Sequence, residues 1–91
     1  EARVWVHEVL GPLASADARD ERLRETLRVF LRAGQSFTAA AGGELHLHFN
    51  SVKYRVARAI ERRGRPIAAD VLDVEVALLL CHWYGDAILR S

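Results

Sequence analysis

The chain has 91 residues, 51% of them hydrophobic and 27% charged, with a formal net charge of +1. This predicts one small domain with a real core. The single cysteine excludes an internal disulfide framework, and no apolar run reaches the roughly 18–20 residues of a membrane span, so a cytoplasmic location without membrane contact is expected.

The first element, residues 2–10, is short and apolar and is predicted to be a helix ended by Gly11-Pro12. A strand is the competing prediction, because apolar and polar residues alternate nearly as well at its start. Leu13–Ala16 is predicted to be a linker. The predicted inner side of the helix holds Val4, Trp5, Val9 and Leu10.

A second, strongly amphipathic helix is predicted to begin after Asp17, which can cap it, and to end at Gly34. Asp20 and Glu21 suit its positive end. Its arginines alternate with acidic residues, which predicts a solvated face with ion pairs. The apolar face follows the spacing i, i+4, i+7 and i+8 at Leu23, Leu27, Phe30 and Leu31.

A short third helix is predicted after Ser36, its N-cap. Gly42-Gly43 conflicts with a helix interior, where each glycine costs up to about 1 kcal/mol relative to alanine, so the helix either ends early or is kinked. His46–Phe49 is predicted to be a tight turn. The inner face of this helix would hold Phe37, Ala40, Ala41 and Leu45.

A fourth helix is predicted from Asn50, since Asn50 and Ser51 can both accept hydrogen bonds from first-turn N–H groups. Gly64 followed by Pro66 ends it. Its buried face is predicted at Val52, Val56, Ala59 and Ile60. At about 100° per residue the opposite face and its flanks hold Asn50, Ser51, Lys53, Tyr54, Arg55, Arg58 and Glu61.

Positive charge is concentrated on this fourth helix. Residues 50–65 contain six basic residues and one acidic residue, a net charge of +5, whereas residues 70–91 carry −3. A local field of this kind attracts phosphates even when the whole chain is nearly neutral. The simpler alternative is a solubilising face, but Asn50, Ser51 and Tyr54 are residue types that reach base edges. Tyr54 could equally be a half-buried lid on the core.

The last helix is predicted to begin near Asp70, with Asp73 in its first turn. Residues 71–84 are apolar on nearly every side. A helix of that kind is buried all round. We therefore expect one face to pack on the core and the other on a second surface, either a twin chain or a further domain.

Two helices joined by a short turn, the second basic with a polar start, form the helix-turn-helix pattern. Asn50 and Ser51 near the helix start can contact base edges in the major groove, while flanking Lys and Arg meet phosphates. The order of elements therefore predicts an all-α helix-turn-helix bundle of about five helices, with the motif at residues 36–64 and a long apolar C-terminal helix.

The chain resembles the C-terminal helix-turn-helix domain of bacterial PucR/CdaR-type transcriptional regulators, particularly actinobacterial members. The family pattern L-x-x-H-x-N-T-V-x-Y-R-L/V is met over Leu45–Val56, with Ser51 in place of Thr. The chain departs from it at Phe49, where a proline or basic residue is usual, and by one extra residue near Gly42-Gly43. The other matching segments are GPLA (11–14), LRETLRVFL (23–31), SFTAAA (36–41), GRPI (64–67) and LDVEVALLLCHW (72–83).

This resemblance implies an all-α DNA-binding domain at the end of a larger regulator whose upstream region would bind any effector. The family's DNA-reading role passes to Asn50, Ser51, Lys53, Tyr54 and Arg55. Residues 1–91 are then a single domain, with residues 1–16 leading in from the upstream region. The absence of methionine, even at position 1, agrees with a segment of a longer protein.

The expected function is sequence-specific binding of double-stranded DNA, without enzymatic activity, by a protein that forms a homodimer at full length. No metal or cofactor is expected, since His46 and His48 have no third ligand nearby. The adjacent Cys81 and His82 point apart on a helix, so they are not expected to form a nucleophile–base pair. The alternative is a helical interaction domain whose basic face binds an acidic protein. The expected DNA-binding residues are Asn50, Ser51, Lys53, Tyr54, Arg55, Arg58, His48 and Arg62.

Overall fold

The computed structural model describes residues 1–90 and confirms the all-α prediction for them. A 3₁₀ turn at Gly11–Leu13 follows the first of five α-helices. The helices are α1 (Ala2–Leu10), α2 (Ala18–Arg32), α3 (Phe37–Gly42), α4 (Phe49–Arg63) and α5 (Val71–Leu89). None of them is long and apolar enough to cross a bilayer.

Helix α2 is the centre of the bundle. It packs against α4 on one side and against α5 on another, while α1 lies on α5 and α3 lies on α4. A single apolar cluster joins all five helices and excludes water between them. Its fully buried members include Val6, Leu10, Leu13, Leu27, Val52, Val74 and Leu78.

The N-terminal element is a helix, so the competing strand prediction was wrong. Of its predicted inner face, Val9 and Leu10 are buried and Trp5 is partly buried. Val4 was placed there wrongly, since it is 55% exposed, and the fully buried Val6 was missed. The covered face follows Val6, Val9 and Leu10 because α1 lies on α5 along that line. The predicted linker is also part of the core, since Leu13 and Ala14 are buried.

The starts predicted for α2 and α3 from their capping residues were confirmed. The Asp17 side chain accepts a hydrogen bond from the Arg19 N–H at 2.7 Å, and Ser36 accepts one from the Ala39 N–H at 3.1 Å. Helix α2 ends at Arg32, slightly before the predicted Gly34. Helix α3 ends at Gly42, which is the first of the two outcomes predicted for the glycine pair.

Two arginines of α2 are buried, so the prediction of a solvated charged face was wrong for them. Arg24 donates to the carbonyl oxygens of Leu13 at 2.8 Å and Ser15 at 2.6 Å. Arg28 donates to the carboxylates of Glu25 at 2.9 Å and Glu44 at 2.7 Å. Burial of a guanidinium is tolerated when such partners replace water.

Helix α5 is only half covered. Val74, Ala77, Leu78 and Cys81 face the core, while several apolar side chains on the other side are open to solvent. Asp70 occupies the N-cap position as predicted, but its side chain makes no capping hydrogen bond because it pairs with Arg63. The helix is interrupted at Tyr84, whose backbone (φ −129°, ψ 32°) is not helical.

Candidate nucleic-acid interface

Helices α3 and α4 are held in place by contacts to α2. The rings of Phe30 and Phe37 stack with centroids 4.8 Å apart, which fixes α3. The ion pair between Arg28 and Glu44 ties the connection after α3 to the same helix. This connection runs from Gly43 to His48, longer than the predicted tight turn, because α3 ends at Gly42.

The start of α4 differs from the prediction. The helix begins at Phe49, and its N-cap is His48, whose Nδ1 accepts a hydrogen bond from the Asn50 N–H at 3.1 Å. Asn50 and Ser51 were predicted to cap the helix, and that prediction was wrong. His48, predicted to contact DNA, is exposed and lies at the helix terminus. The side-chain amide of Asn50 makes no hydrogen bond to any described residue, and the contact with His48 is made by its backbone N–H.

The outer face of α4, which we define as Asn50, Tyr54, Ala57 and Arg58, is exposed to solvent. Tyr54 is 66% exposed, so the alternative in which it covers the core was wrong. On the opposite side Val52, Val56 and Ala59 are buried as predicted, and Ile60, also predicted there, is partly buried against the core. The helix therefore presents a continuous polar strip while its apolar back is anchored.

Two cations lie beside this strip without acidic partners among residues 1–90. Lys53 is exposed on one flank and Arg55 is partly buried on the other, close to the partly buried Ser51. Arg58 forms an ion pair with Glu61, and both side chains are largely open to solvent. An exposed pair of this kind is worth at most about 1 kcal/mol, so a phosphate can compete for Arg58.

The remaining basic residues of the segment serve the fold. Arg62 donates from Nε to Oδ1 of the buried Asp20 at 3.0 Å. Arg63 is fully buried and donates to the carbonyl oxygen of Val9 at 2.7 Å and to the carboxylate of Asp70. Arg65 donates to the carbonyl oxygen of Glu8 at 2.8 Å. The net charge of the segment therefore overstates the positive charge available on its surface.

Asp20 and Arg62 each stabilise the charged form of the other. Burial raises the pKa of the Asp20 carboxyl, but hydrogen bonds from Arg62 and Ser15 outweigh it, so the pKa is lowered overall. The same hydrogen bond, which Arg62 donates to Asp20, raises the pKa of Arg62. Among the predicted DNA-binding residues, Arg62 thus differs in having a buried charged partner, whereas the partner of Arg58, Glu61, is exposed.

Ala57 belongs to the outer face but was absent from the predicted site. It is exposed and lies seven residues after Asn50 and three after Tyr54, so all three share one side of the helix. Helical spacing from Asn50 was the signal that could have found it. Its small side chain leaves room for another molecule to approach the helix closely, and its methyl group can contact a thymine methyl.

A polar cleft of about 320 Å³ lies between α2 and α5. Its main titratable groups are already engaged: Glu25 pairs with Arg28 and lies 3.1 Å from Nδ1 of His82, and Arg24 is held by backbone carbonyls. Cys81 is buried as predicted, and burial raises the pKa of its thiol. The cleft therefore assembles no nucleophile activated by a base.

Comparison with known proteins connects this arrangement to transcriptional regulators. Residues 23–80, more than half of the chain, match the family model of the PucR C-terminal helix-turn-helix domain. An "uncharacterized protein in pkwA 5′ region" from Thermomonospora curvata is 45% identical over 85 residues, which cover 93% of this chain and 43% of that protein.

The transcriptional activator PmfR of Paenarthrobacter nicotinovorans is 39% identical over 69 residues, covering 76% of this chain and 14% of that protein. The chain thus spans less than half the length of either curated relative. No solved structure matches it significantly. The match over α2 to α5, together with the helix pair α3–α4 packed on α2, shows that the chain belongs to the PucR C-terminal helix-turn-helix domain family.

Proposed function

We propose that this chain is a sequence-specific DNA-binding domain, without enzymatic activity, and the C-terminal output module of a bacterial transcriptional regulator. Family membership supports DNA as the partner. The observation that carries the finer proposal is the outer face of α4, where an unengaged amide, an exposed tyrosine and an exposed alanine lie between cationic flanks. We further expect the full regulator to act in the cytoplasm as a homodimer, with any effector bound by its upstream region.

The proposed complex places α4 in the major groove. An α-helix is about 10–12 Å wide and the groove is about 12 Å wide, so one helix fills it. Asn50 near the helix start can form two hydrogen bonds with an adenine edge through N6 and N7. Ser51 and Tyr54 add polar contacts from the same first turns, and Ala57 allows the helix to lie close to the bases.

The flanking cations match the two walls of the groove. Lys53 lies on one side of the Asn50–Ala57 line, and Arg55 and Arg58 lie on the other, so each flank can reach a phosphate strand. Such contacts fix the register of the helix and supply affinity without sequence information. His48 lies where a backbone phosphate would pass the helix start. Arg62 is the weakest candidate of the set, since DNA would have to share it with Asp20.

Fluorescence anisotropy with random duplex DNA across a salt series tests the phosphate contacts. The Lys53→Ala/Arg58→Ala double variant is compared with Arg19→Ala/Arg90→Ala, which also removes two charges but from side chains 83% and 71% exposed elsewhere. We expect the log–log salt slope to fall by about 2 in the first variant and to change little in the control. Equal slopes in the two folded variants would contradict the proposed interface.

Selection from a randomised duplex pool tests sequence specificity separately. A specific domain should enrich a short consensus, since each mismatched base pair typically costs about 1–3 kcal/mol. Salt-sensitive binding without enrichment of a consensus would mean that the domain attracts DNA only as a polyanion and does not read its sequence. In that case the alternative, a basic face that binds an acidic protein, would replace sequence reading as the account of α4.

A further inference from the structure

Four apolar side chains on the solvent side of α5 form a continuous line, which we call the α5 stripe. Leu72 and Trp83 at its ends are 73% and 69% exposed, and Val76 and Leu79 between them are about 40% exposed. Their spacing of four, three and four residues is that of the a and d positions of a coiled coil. The stripe carries no charge and ends just before the helix is interrupted at Tyr84.

The core of the domain does not require this stripe. The opposite face of α5 already packs on α1 and α2 through Val74, Ala77, Leu78 and Cys81. Helix α4 lies on the other side of the bundle, against α2 and α3. A partner on the stripe would therefore leave the outer face of α4 free.

We propose that the α5 stripe is the surface on which a second copy of this chain docks, with the two α5 helices antiparallel. The stripe is complementary to itself in that orientation. When a two-fold axis passes between positions 77 and 78, Leu72 faces the partner's Trp83 and Val76 faces the partner's Leu79. Every stripe residue thus meets another stripe residue, as an isologous interface requires.

Helix dipoles favour the antiparallel orientation over a parallel one, because antiparallel dipoles attract and parallel dipoles repel. Glu75 and His82 are seven residues apart and share one side of the stripe. In the antiparallel pair Glu75 lies on the same flank as the partner's His82; within its own chain His82 lies 3.1 Å from Glu25.

The exposed area predicts a weak dimer. The four side chains expose on the order of 400 Å² per copy, which is a large apolar patch for a small domain. Two copies would bury about 800 Å² from the stripe, below the lower limit of about 1,200 Å² for stable interfaces. We therefore expect dissociation in the micromolar range.

Sedimentation equilibrium of the chain without DNA, from low micromolar to submillimolar concentration, tests the proposal independently of the proposed function. Leu79→Glu should raise the dimer dissociation constant at least tenfold. Val4→Glu changes an apolar side chain of similar exposure on α1 and should leave it unaltered. A wild-type chain that remains monomeric throughout, or two folded variants that dissociate equally, would overturn the proposal.

Cysteine cross-linking tests the orientation. In the antiparallel register two copies of position 72 are separated by about eleven residues, or roughly 16 Å, beyond the reach of a disulfide. Leu72→Cys should therefore not cross-link to itself, but should cross-link when mixed with Trp83→Cys. The wild-type chain, which contains only the buried Cys81, serves as the control for cross-linking through that residue. Self-cross-linking of Leu72→Cys, or no cross-link in the mixture, would overturn the antiparallel pair.

Discussion

The Arg62 guanidinium of α4 binds the carboxylate of Asp20 in α2, with Nε 3.0 Å from Oδ1 and Nη2 3.3 Å from Oδ2. The two residues are 42 positions apart in the chain, and Ser15 donates to the same carboxylate. Asp20 is buried whereas Arg62 is half exposed. The pair therefore anchors the end of the candidate recognition helix to the central helix of the bundle.

We expect Asp20→Asn to lower the free energy of unfolding by about 1–3 kcal/mol, because hydrogen bonds to a charged group are lost in a buried position. Urea unfolding followed by circular dichroism measures the change. The control is Asp86→Asn, which breaks an exposed ion pair with Arg90 and should cost less than about 1 kcal/mol. Equal losses would show that the Asp20 contact is no stronger than a surface pair.

The same contact predicts a pH dependence. Burial raises the pKa of Asp20, but the hydrogen bonds from Arg62 and Ser15 lower it by more. The pKa in the folded state therefore lies below that in the unfolded state. The stabilisation is then complete above the unfolded value of about 3.9 and is lost as pH falls through the folded value. The difference in unfolding free energy between wild type and Asp20→Asn should be constant from pH 7 to about pH 5 and should shrink below about pH 4. A difference that grows in acid would contradict this sign.

His48 is predicted to stabilise α4 as its N-cap. His48→Ala should cost about 0.5–2 kcal/mol of stability, and His48→Asn should recover most of the loss because asparagine is a preferred cap. Thermal unfolding measures both variants. If His48→Asn keeps the stability but lowers DNA affinity, the imidazole itself contacts DNA; if affinity follows stability, its role is capping.

Gly64 is required for its backbone conformation at the end of α4. Its φ is +93°, and an added Cβ would meet no atom within 4 Å, so the cost of Gly64→Ala is conformational strain of about 1–2 kcal/mol. Gly42→Ala is the matched control, since Gly42 is helical and its Cβ would also meet open space. That change should stabilise the domain by up to about 1 kcal/mol. Differential scanning calorimetry of the pair should show midpoints moving in opposite directions.

Asn50 and Lys53 should affect DNA binding in different ways. Lys53→Ala should weaken binding to all sequences and lower the salt slope by about 1, as expected for a phosphate contact. Asn50→Ala should leave the slope unchanged and relax preference at one base pair, costing about 1–3 kcal/mol on the selected site. Anisotropy titrations on the consensus and on single-base variants separate these effects. A uniform loss in Asn50→Ala would argue against a base contact.

Helix positions were predictable from the chain because their signals lie within a few residues of each other. Asp17 and Ser36 bond the N–H groups two or three positions ahead, and Gly64 ends α4 by its own backbone conformation. The period of Val52, Val56 and Ala59 likewise placed the buried face of α4 correctly. Most of the predicted DNA-binding residues therefore lie together on the outer side of one helix.

Contacts between distant parts of the chain decided what each charged residue does. Arg24 and Arg63 are indistinguishable from surface arginines in the sequence, yet each is buried against backbone carbonyls 9 to 54 positions away. The Asp70 side chain likewise pairs with Arg63, which the packing of α4 brings close, and so it makes no capping hydrogen bond to α5. Local spacing sets the direction of a side chain on its helix, but only the packing of other helices determines whether that direction leads to water, to a carbonyl oxygen or to an open surface such as the α5 stripe.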